Sequence, residues 1–132
     1  MSVIVTDNGF GSDDFEAEIG PDPEDGIGVD LASDVTPDSL SGPLLEAPLI
    51  RIDFPSFSDG RGFTLARLLR QRGYRGRLRA RGHVLADQYA MARRSGFDEV
   101  EIDEALAARQ PEDQWLARSD WRAHDYQARL RG

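Results

Sequence analysis

The segment from Asp53 to Gly62 (DFPSFSDGRG) carries the densest set of groups able to hold an anion. Gly60 and Gly62 let backbone N–H groups approach an oxyanion, Ser56 and Ser58 bring hydroxyl donors, and Arg61 brings a forked guanidinium. Asp59 opposes that use, because a carboxylate in the pocket repels phosphate or sulfate. The competing reading is a capped turn, in which Ser58 or Asp59 caps the next helix and the glycines allow a positive φ or close packing. Only Gly60-x-Gly62 is present, so neither the dinucleotide nor the P-loop glycine pattern is met, and the capped turn is favoured. Asp53 and His83, with an arginine nearby, make a second constellation, suited to acid–base chemistry. Its plainer reading, also favoured, is that strand ends are polar because they turn, with His83 as a helix cap. Arg77, Arg79 and Arg81 alternate along a strand and share one face. Such a strip suits acids, either the protein's own N-terminal third or a partner surface.

These residues need elements to position them. Residues 2–6 read as a strand and 7–9 as a tight turn. Residues 9–25 are acidic and rich in Gly and Pro, and are expected as loop, partly disordered. A strand follows at 26–31, and Thr36-Pro37-Asp38 starts a helix that Gly42-Pro43 interrupts. Beyond it the spacing predicts a strand at 49–54 and a helix at 59–72 closed by Gly73. A strand at 77–81, a helix at 84–95 closed by Gly96 and a strand at 100–103 come next. A C-terminal helix runs from Pro111 to near Arg129, with acids in its first turn. Strand and helix alternating in this way imply parallel strands joined by right-handed crossovers. The expected fold is α/β, a small parallel sheet of about four strands with crossover helices, plus an N-terminal edge strand and a C-terminal helix. Residues 1–25 form an acidic strand and loop, and 26–132 a single α/β domain. In open parallel sheets ligands collect beyond the carboxyl ends of the strands. Asp53, the Ser56–Gly62 loop, Arg81 and His83 all fall there. Trp115 and Tyr126 share a face of the last helix; Trp121 points elsewhere, a candidate anchor for a partner.

Composition narrows the chemistry. The net charge is −8, yet residues 1–48 hold twelve acids and no base, while residues 49–98 hold eleven arginines against four acids. All sixteen basic residues are arginine, so no lysine amine is available for Schiff-base chemistry. There is no cysteine, which removes disulfides, thiolate nucleophiles and cysteine-ligated clusters. Two histidines make a histidine-rich metal site improbable, and no metal site is expected. No flavin, nicotinamide or cluster motif is present, so no cofactor is expected either. The longest apolar run falls well short of the ~18 residues of a membrane helix. The opening MSVIVTDNGFGSDD lacks a basic start and a long apolar stretch, so a cytoplasmic location is expected. An acidic chain whose arginines have no aromatic platform disfavours nucleic acid as a partner.

Three stretches carry a resemblance: LIRIDFPSFSDGRGFTLARLLRQRGYRG, LRARGHVLADQ and RRSGFDEVEI. As a set they resemble the bacterial domain-of-unknown-function family nine-three-four, whose members are often described as oxidoreductases involved in sulfite reduction. The resemblance implies an association with sulfate assimilation and supplies no catalytic residue. Family members usually have Asp where this chain has His83 and Cys where it has Ser95, which makes this chain look more like an accessory member than an electron carrier. Two functions follow. The first is an accessory protein of assimilatory sulfite reduction, touching sulfite reductase or its electron donor through Arg77, Arg79 and Arg81. The second is a small enzyme or binding domain for a sulfur oxyanion or phosphorylated metabolite at the carboxyl edge of the sheet.

Overall fold

Which face of the sheet receives the helices decides this architecture. In the computed structural model, which describes residues 2–124, β4 (Gly28–Leu31), β5 (Leu49–Phe54), β6 (Arg77–Gly82) and β7 (Glu99–Asp103) are parallel neighbours. Helix α1 (Arg61–Gln71) links β5 to β6, and α2 (Tyr89–Ser95) links β6 to β7. Each crossover advances one strand in the same direction, and right-handed crossovers that never reverse keep their helices on one side. On that side Ile50, Ile52, Leu78, Ala80 and Val100 pack with Phe63, Ala66 and Leu69 of α1 and Ala92 of α2. The opposite side has no crossover helix. The strands therefore alternate polar with apolar residues, where a parallel sheet covered twice would read as a continuous apolar run.

The sheet has seven strands in the order β2-β1-β7-β6-β5-β4-β3, with β1 at Ser2–Thr6, β2 at Gly9–Gly11 and β3 at Ile19–Gly20. The α/β class stands, and the expected count of about four strands is too low. β1 runs antiparallel to β7 and carries β2 outside it, so it is not an edge. Residues 9–25, expected as loop, give β2, β3 and the segment that crosses the polar face. Strands of two and three residues are too short to show a period.

That polar face is an ion-pair lattice centred on Arg79, whose side chain has no exposed surface. Arg79 Nε donates to Glu99 at 2.6 Å, Nη1 to Glu101 at 2.9 Å, and Nη2 to Asp13 at 2.9 Å. Arg51 on β5 grips Asp30 of β4 with two bonds of 2.6 and 2.9 Å and reaches Glu101 at 3.1 Å. Arg77 donates to Glu99 at 2.7 Å and also pairs with Asp14. Arg79 and Arg77 thus hold the Asp13 and Asp14 carboxyls below the ordinary carboxylate range. Asp13 and Asp14 of the acidic N-terminal third therefore share these two arginines with Glu99 and Glu101, and the segment that carries them lies across the sheet as a strap.

The helix ends are closed by glycine as expected. Gly73 (φ +95°) follows α1, with the Tyr74 N–H reaching Leu69 O at 2.9 Å; Gly96 (φ +116°) follows α2, with the Phe97 N–H reaching Ala92 O at 3.1 Å. Arg70 ties the two ends together, donating to Gly96 O (3.0 and 2.9 Å), Tyr74 O (3.0 Å), Gly76 O (2.8 Å) and Asp98 (2.9 Å).

The C-terminal part differs from expectation. Helix α3 (Glu104–Arg109) begins directly on β7, with Asp103 accepting the Leu106 N–H at 2.7 Å. The helix expected from Pro111 is the short α4 (Glu112–Leu116), followed by a 3-10 turn at Trp121–His124; Tyr126 and Arg129 lie outside the described residues. Trp115 is buried edge-on to Tyr89. Trp121, the candidate anchor, donates to Asp7 at 3.2 Å and lies under the guanidiniums of Arg93 and Arg122. It fastens the chain to the β1–β2 turn. No helix among the described residues is long and apolar enough to cross a membrane.

Two predictions follow from the lattice. Removing one partner of a buried, bonded charge leaves the others uncompensated, so Arg79→Met is expected to cost about 3–5 kcal/mol in urea unfolding. Arg81→Met, at a side chain 48% exposed, is expected to cost less than about 1 kcal/mol. In acid, the native Asp13 and Asp14 pKa values lie below the unfolded 3.8, so these pairs stabilise fully above about pH 3.8 and their contribution is lost as pH falls through the native values. Acid titration of Asp13→Asn should lack the Asp13 share of that transition and keep the Asp14 share.

Candidate anion-binding cleft

The Ser56–Gly62 loop binds its own charge. Asp59 Oδ1 accepts the Arg61 backbone N–H at 3.1 Å and Arg61 Nε at 3.0 Å, and Oδ2 accepts Arg61 Nη2 at 2.7 Å and the Ser33 hydroxyl at 3.0 Å. The bonds from Arg61 hold the Asp59 carboxyl well below its usual range. The place an anion would take before α1 is thus filled by a carboxylate of the chain itself. Gly60 is the cap residue of α1, without a side-chain cap bond, where Ser58 or Asp59 was expected. The Ser56 and Ser58 hydroxyls lie 3.3 Å apart. Neither glycine needs a positive φ. Gly62 is there for packing, since a Cβ would sit 2.5 Å from the Phe54 ring; at Gly60 it would meet nothing nearer than 4.0 Å.

A different arrangement lies beyond the ends of β6 and β7. A cleft of about 190 Å³ there is lined by Arg81, His83, Glu101, Asp103 and Arg109, with Ser2, Phe57 and Leu106 among its walls. β6 delivers Arg81 and His83, α3 delivers Arg109, and β1 delivers Ser2, because its first residue pairs with Asp103. Glu101 is engaged from several directions: the Ser2 hydroxyl donates to it at 3.1 Å, Arg51 at 3.1 Å and Arg79 at 2.9 Å. Arg81 is left 3.7 Å from the same carboxylate, beyond hydrogen-bond range, and half exposed. Arg109 is exposed at the end of α3.

His83 is held by backbone. Its N–H donates to Phe54 O at 2.9 Å and its Nδ1 lies 3.2 Å from the same oxygen. A carbonyl only accepts, so Nδ1 carries the hydrogen and Nε2 is the ring nitrogen left for other partners. Gly82 makes this turn at φ +110°, where a Cβ would come 2.8 Å from Phe54 O. The ring also stands edge-on to Phe57 at 5.0 Å. The expected Asp53–His83 pair is therefore replaced by the Phe54 carbonyl. Asp53 is exposed at the end of β5, in register with Arg81.

Of the anticipated groups, the structure brings Arg81 and His83 into one cleft and leaves Ser56, Ser58, Asp59, Gly60, Arg61 and Gly62 in a separate turn. Arg77 and Arg79 are taken by the lattice. Ser95 is buried with its hydroxyl on Met91 O at 2.8 Å. Arg109 and Ser2 escaped the sequence reading. The signal for Arg109 was Asp103-Glu104, a cap and an acidic first turn ahead of a short helix. Among the described residues no group of three or more His, Asp or Glu side chains is placed to hold a metal ion.

The model of a family described as "Bacterial protein of unknown function (DUF934)" matches residues 28–132. The chain belongs to that family. In this DUF934 member Arg81, His83 and Arg109 fall inside the matched span, while Ser2, β1 to β3 and the strap precede it. No curated protein matches the chain, and no solved structure does.

The two glycines separate packing from conformation. Gly62→Ala is expected to cost about 1–3 kcal/mol by overpacking against Phe54, and Gly60→Ala to stay within about 0.5 kcal/mol, both read from denaturant unfolding.

Proposed function

We propose that the protein binds a small oxyanion in the cleft beyond β6 and β7, with Arg81 and Arg109 as charged donors and His83 as a third polar contact. One observation carries this reading. Glu101 is engaged by Arg79, Arg51 and Ser2, so the Arg81 guanidinium, 3.7 Å from that carboxylate and half exposed, keeps its hydrogen-bond donors open at the carboxyl edge of a parallel sheet. A cleft of about 190 Å³ suits an inorganic oxyanion or the head of a small phosphorylated metabolite. The link to sulfate assimilation implied by the family resemblance makes sulfite and sulfate the first ligands to try. With no cysteine in the chain, the role proposed is binding rather than thiol redox chemistry.

Titration calorimetry with sulfite, sulfate and phosphate tests this. Binding is expected for at least one of them, and Arg81→Ala or Arg109→Ala should weaken it about tenfold, the scale of one hydrogen bond to a charged group. Arg61→Ala, in the self-paired turn, should leave it unchanged. Absence of binding by all three anions would sink the reading. A second reading, contact with sulfite reductase or its electron donor, is favoured by Met91 on α2 and Leu116 on α4, exposed at 45% and 39%. It predicts that the full chain used as bait recovers such a partner, and that Arg81→Glu or Met91→Glu loses it.

A further inference from the structure

Resting on the oxyanion reading, we infer that Ser2 is a positioning residue for the cleft: its hydroxyl holds the Glu101 oxygen that Arg81 would otherwise take, and so keeps that guanidinium open to an anion. Register sets the contest. Arg81 is the neighbour of Glu101 on the adjacent strand, so the two side chains leave the sheet side by side. Yet the bonds go elsewhere. Glu101 Oε1 accepts Arg79 Nη1 at 2.9 Å and Arg51 Nη1 at 3.1 Å. Oε2 accepts the Ser2 hydroxyl at 3.1 Å and the longer arm of the Arg51 contact at 3.4 Å. Arg81 Nε faces this same Oε2 from 3.7 Å. Ser2 and Arg81 thus converge on one oxygen from the strands on either side of β7.

Burial decides what happens when the hydroxyl is taken away. The Glu101 side chain is 7% exposed and that of Arg81 48%. A buried carboxylate oxygen deprived of a donor is costly, whereas an exposed side chain changes rotamer readily. Without the Ser2 hydroxyl, Oε2 keeps one long bond, and the donor at hand is Arg81 Nε, which has only to close from 3.7 Å into hydrogen-bond range. Arg79 and Arg51 are held on their other sides by Glu99, Asp13 and Asp30, so neither is free to turn onto Oε2 instead. Arg81 would then be committed to the sheet, and an anion would have to break that pair before binding. β1 precedes the residues matched by the family model, so a side chain outside that span sets how freely an arginine inside it meets a ligand.

The test pairs calorimetry with crystallography on the full chain. Sulfite, sulfate and inorganic phosphate are titrated in turn into the wild type, Ser2→Ala, Ser2→Thr, Arg81→Ala and the double variant Ser2→Ala with Arg81→Ala. Ser2→Ala is expected to weaken anion binding about fivefold, the upper scale of a partly exposed ion pair that must be broken first. Ser2→Thr, which keeps the hydroxyl, should bind as the wild type does. In the Arg81→Ala background the Ser2→Ala step should cost nothing, because no guanidinium is there to be captured. An equal loss with and without Arg81 overturns the inference, since the hydroxyl would then touch the anion itself. Wild-type affinity in Ser2→Ala overturns it as well. In crystals of Ser2→Ala the distance from Arg81 Nε to Glu101 Oε2 should fall from 3.7 Å to below about 3.2 Å. Silence from all three anions on the wild type removes the oxyanion reading, and that distance then decides the role of Ser2 alone. Closure upholds it, and a separation unchanged at 3.7 Å overturns it.

Discussion

A guanidinium with no exposed surface sits in the middle of this sheet, and much of the structure answers to it. Unpaired, such a charge would cost several kcal/mol to bury, so Arg79 requires acceptors on its donor-bearing sides. Glu99 and Glu101 supply two, which fixes what β7 presents on its polar face. Asp13 supplies the next, which obliges the N-terminal segment to cross the sheet. The strap is thus an electrostatic consequence of β6 as much as a piece of chain with its own preferences. Because Asp13 lies more than sixty residues from Arg79, the lattice also joins the part of the chain outside the family match to the part inside it.

The same constraint reaches the cleft. Glu101 takes bonds from Arg79, Arg51 and Ser2, and with its oxygens so engaged Arg81, one pleat further along, comes no nearer than 3.7 Å. A lattice that neutralises its centre leaves a cation at its rim. The rim is also where parallel strands and the start of α3 converge, so the charge imbalance and the concavity coincide.

Much of the fold was legible because its signals are local. The alternation in Arg-Leu-Arg-Ala-Arg and in Glu-Val-Glu-Ile-Asp marks a sheet with one helix-covered face, and Gly73 and Gly96 mark helix ends whose φ angles need glycine. What stayed hidden was non-local or carried by the backbone. β2 and β3 have too few residues to show a period, and they exist because neighbouring strands offer edges to pair with. The Asp53–His83 pair looked plausible because side-chain types are visible in a sequence and a competing carbonyl is not; Phe54 O won. The Ser56–Gly62 loop drew attention because its polar groups are contiguous, and contiguity is what lets Asp59 and Arg61 satisfy each other. The cleft draws on β1, β6, β7 and α3, and no window of sequence contains it.

Arg70 has a mechanical consequence. Its five hydrogen bonds pin the closing turns of both crossover helices to one point at the amino end of the sheet. A rigid-body shift of α2 against α1 there would break several bonds at once. Beyond β6 and β7, at the opposite end, short turns and exposed side chains meet across open space. Cross-linking of the two crossover helices by a single side chain is thus concentrated at the rim where the strands begin.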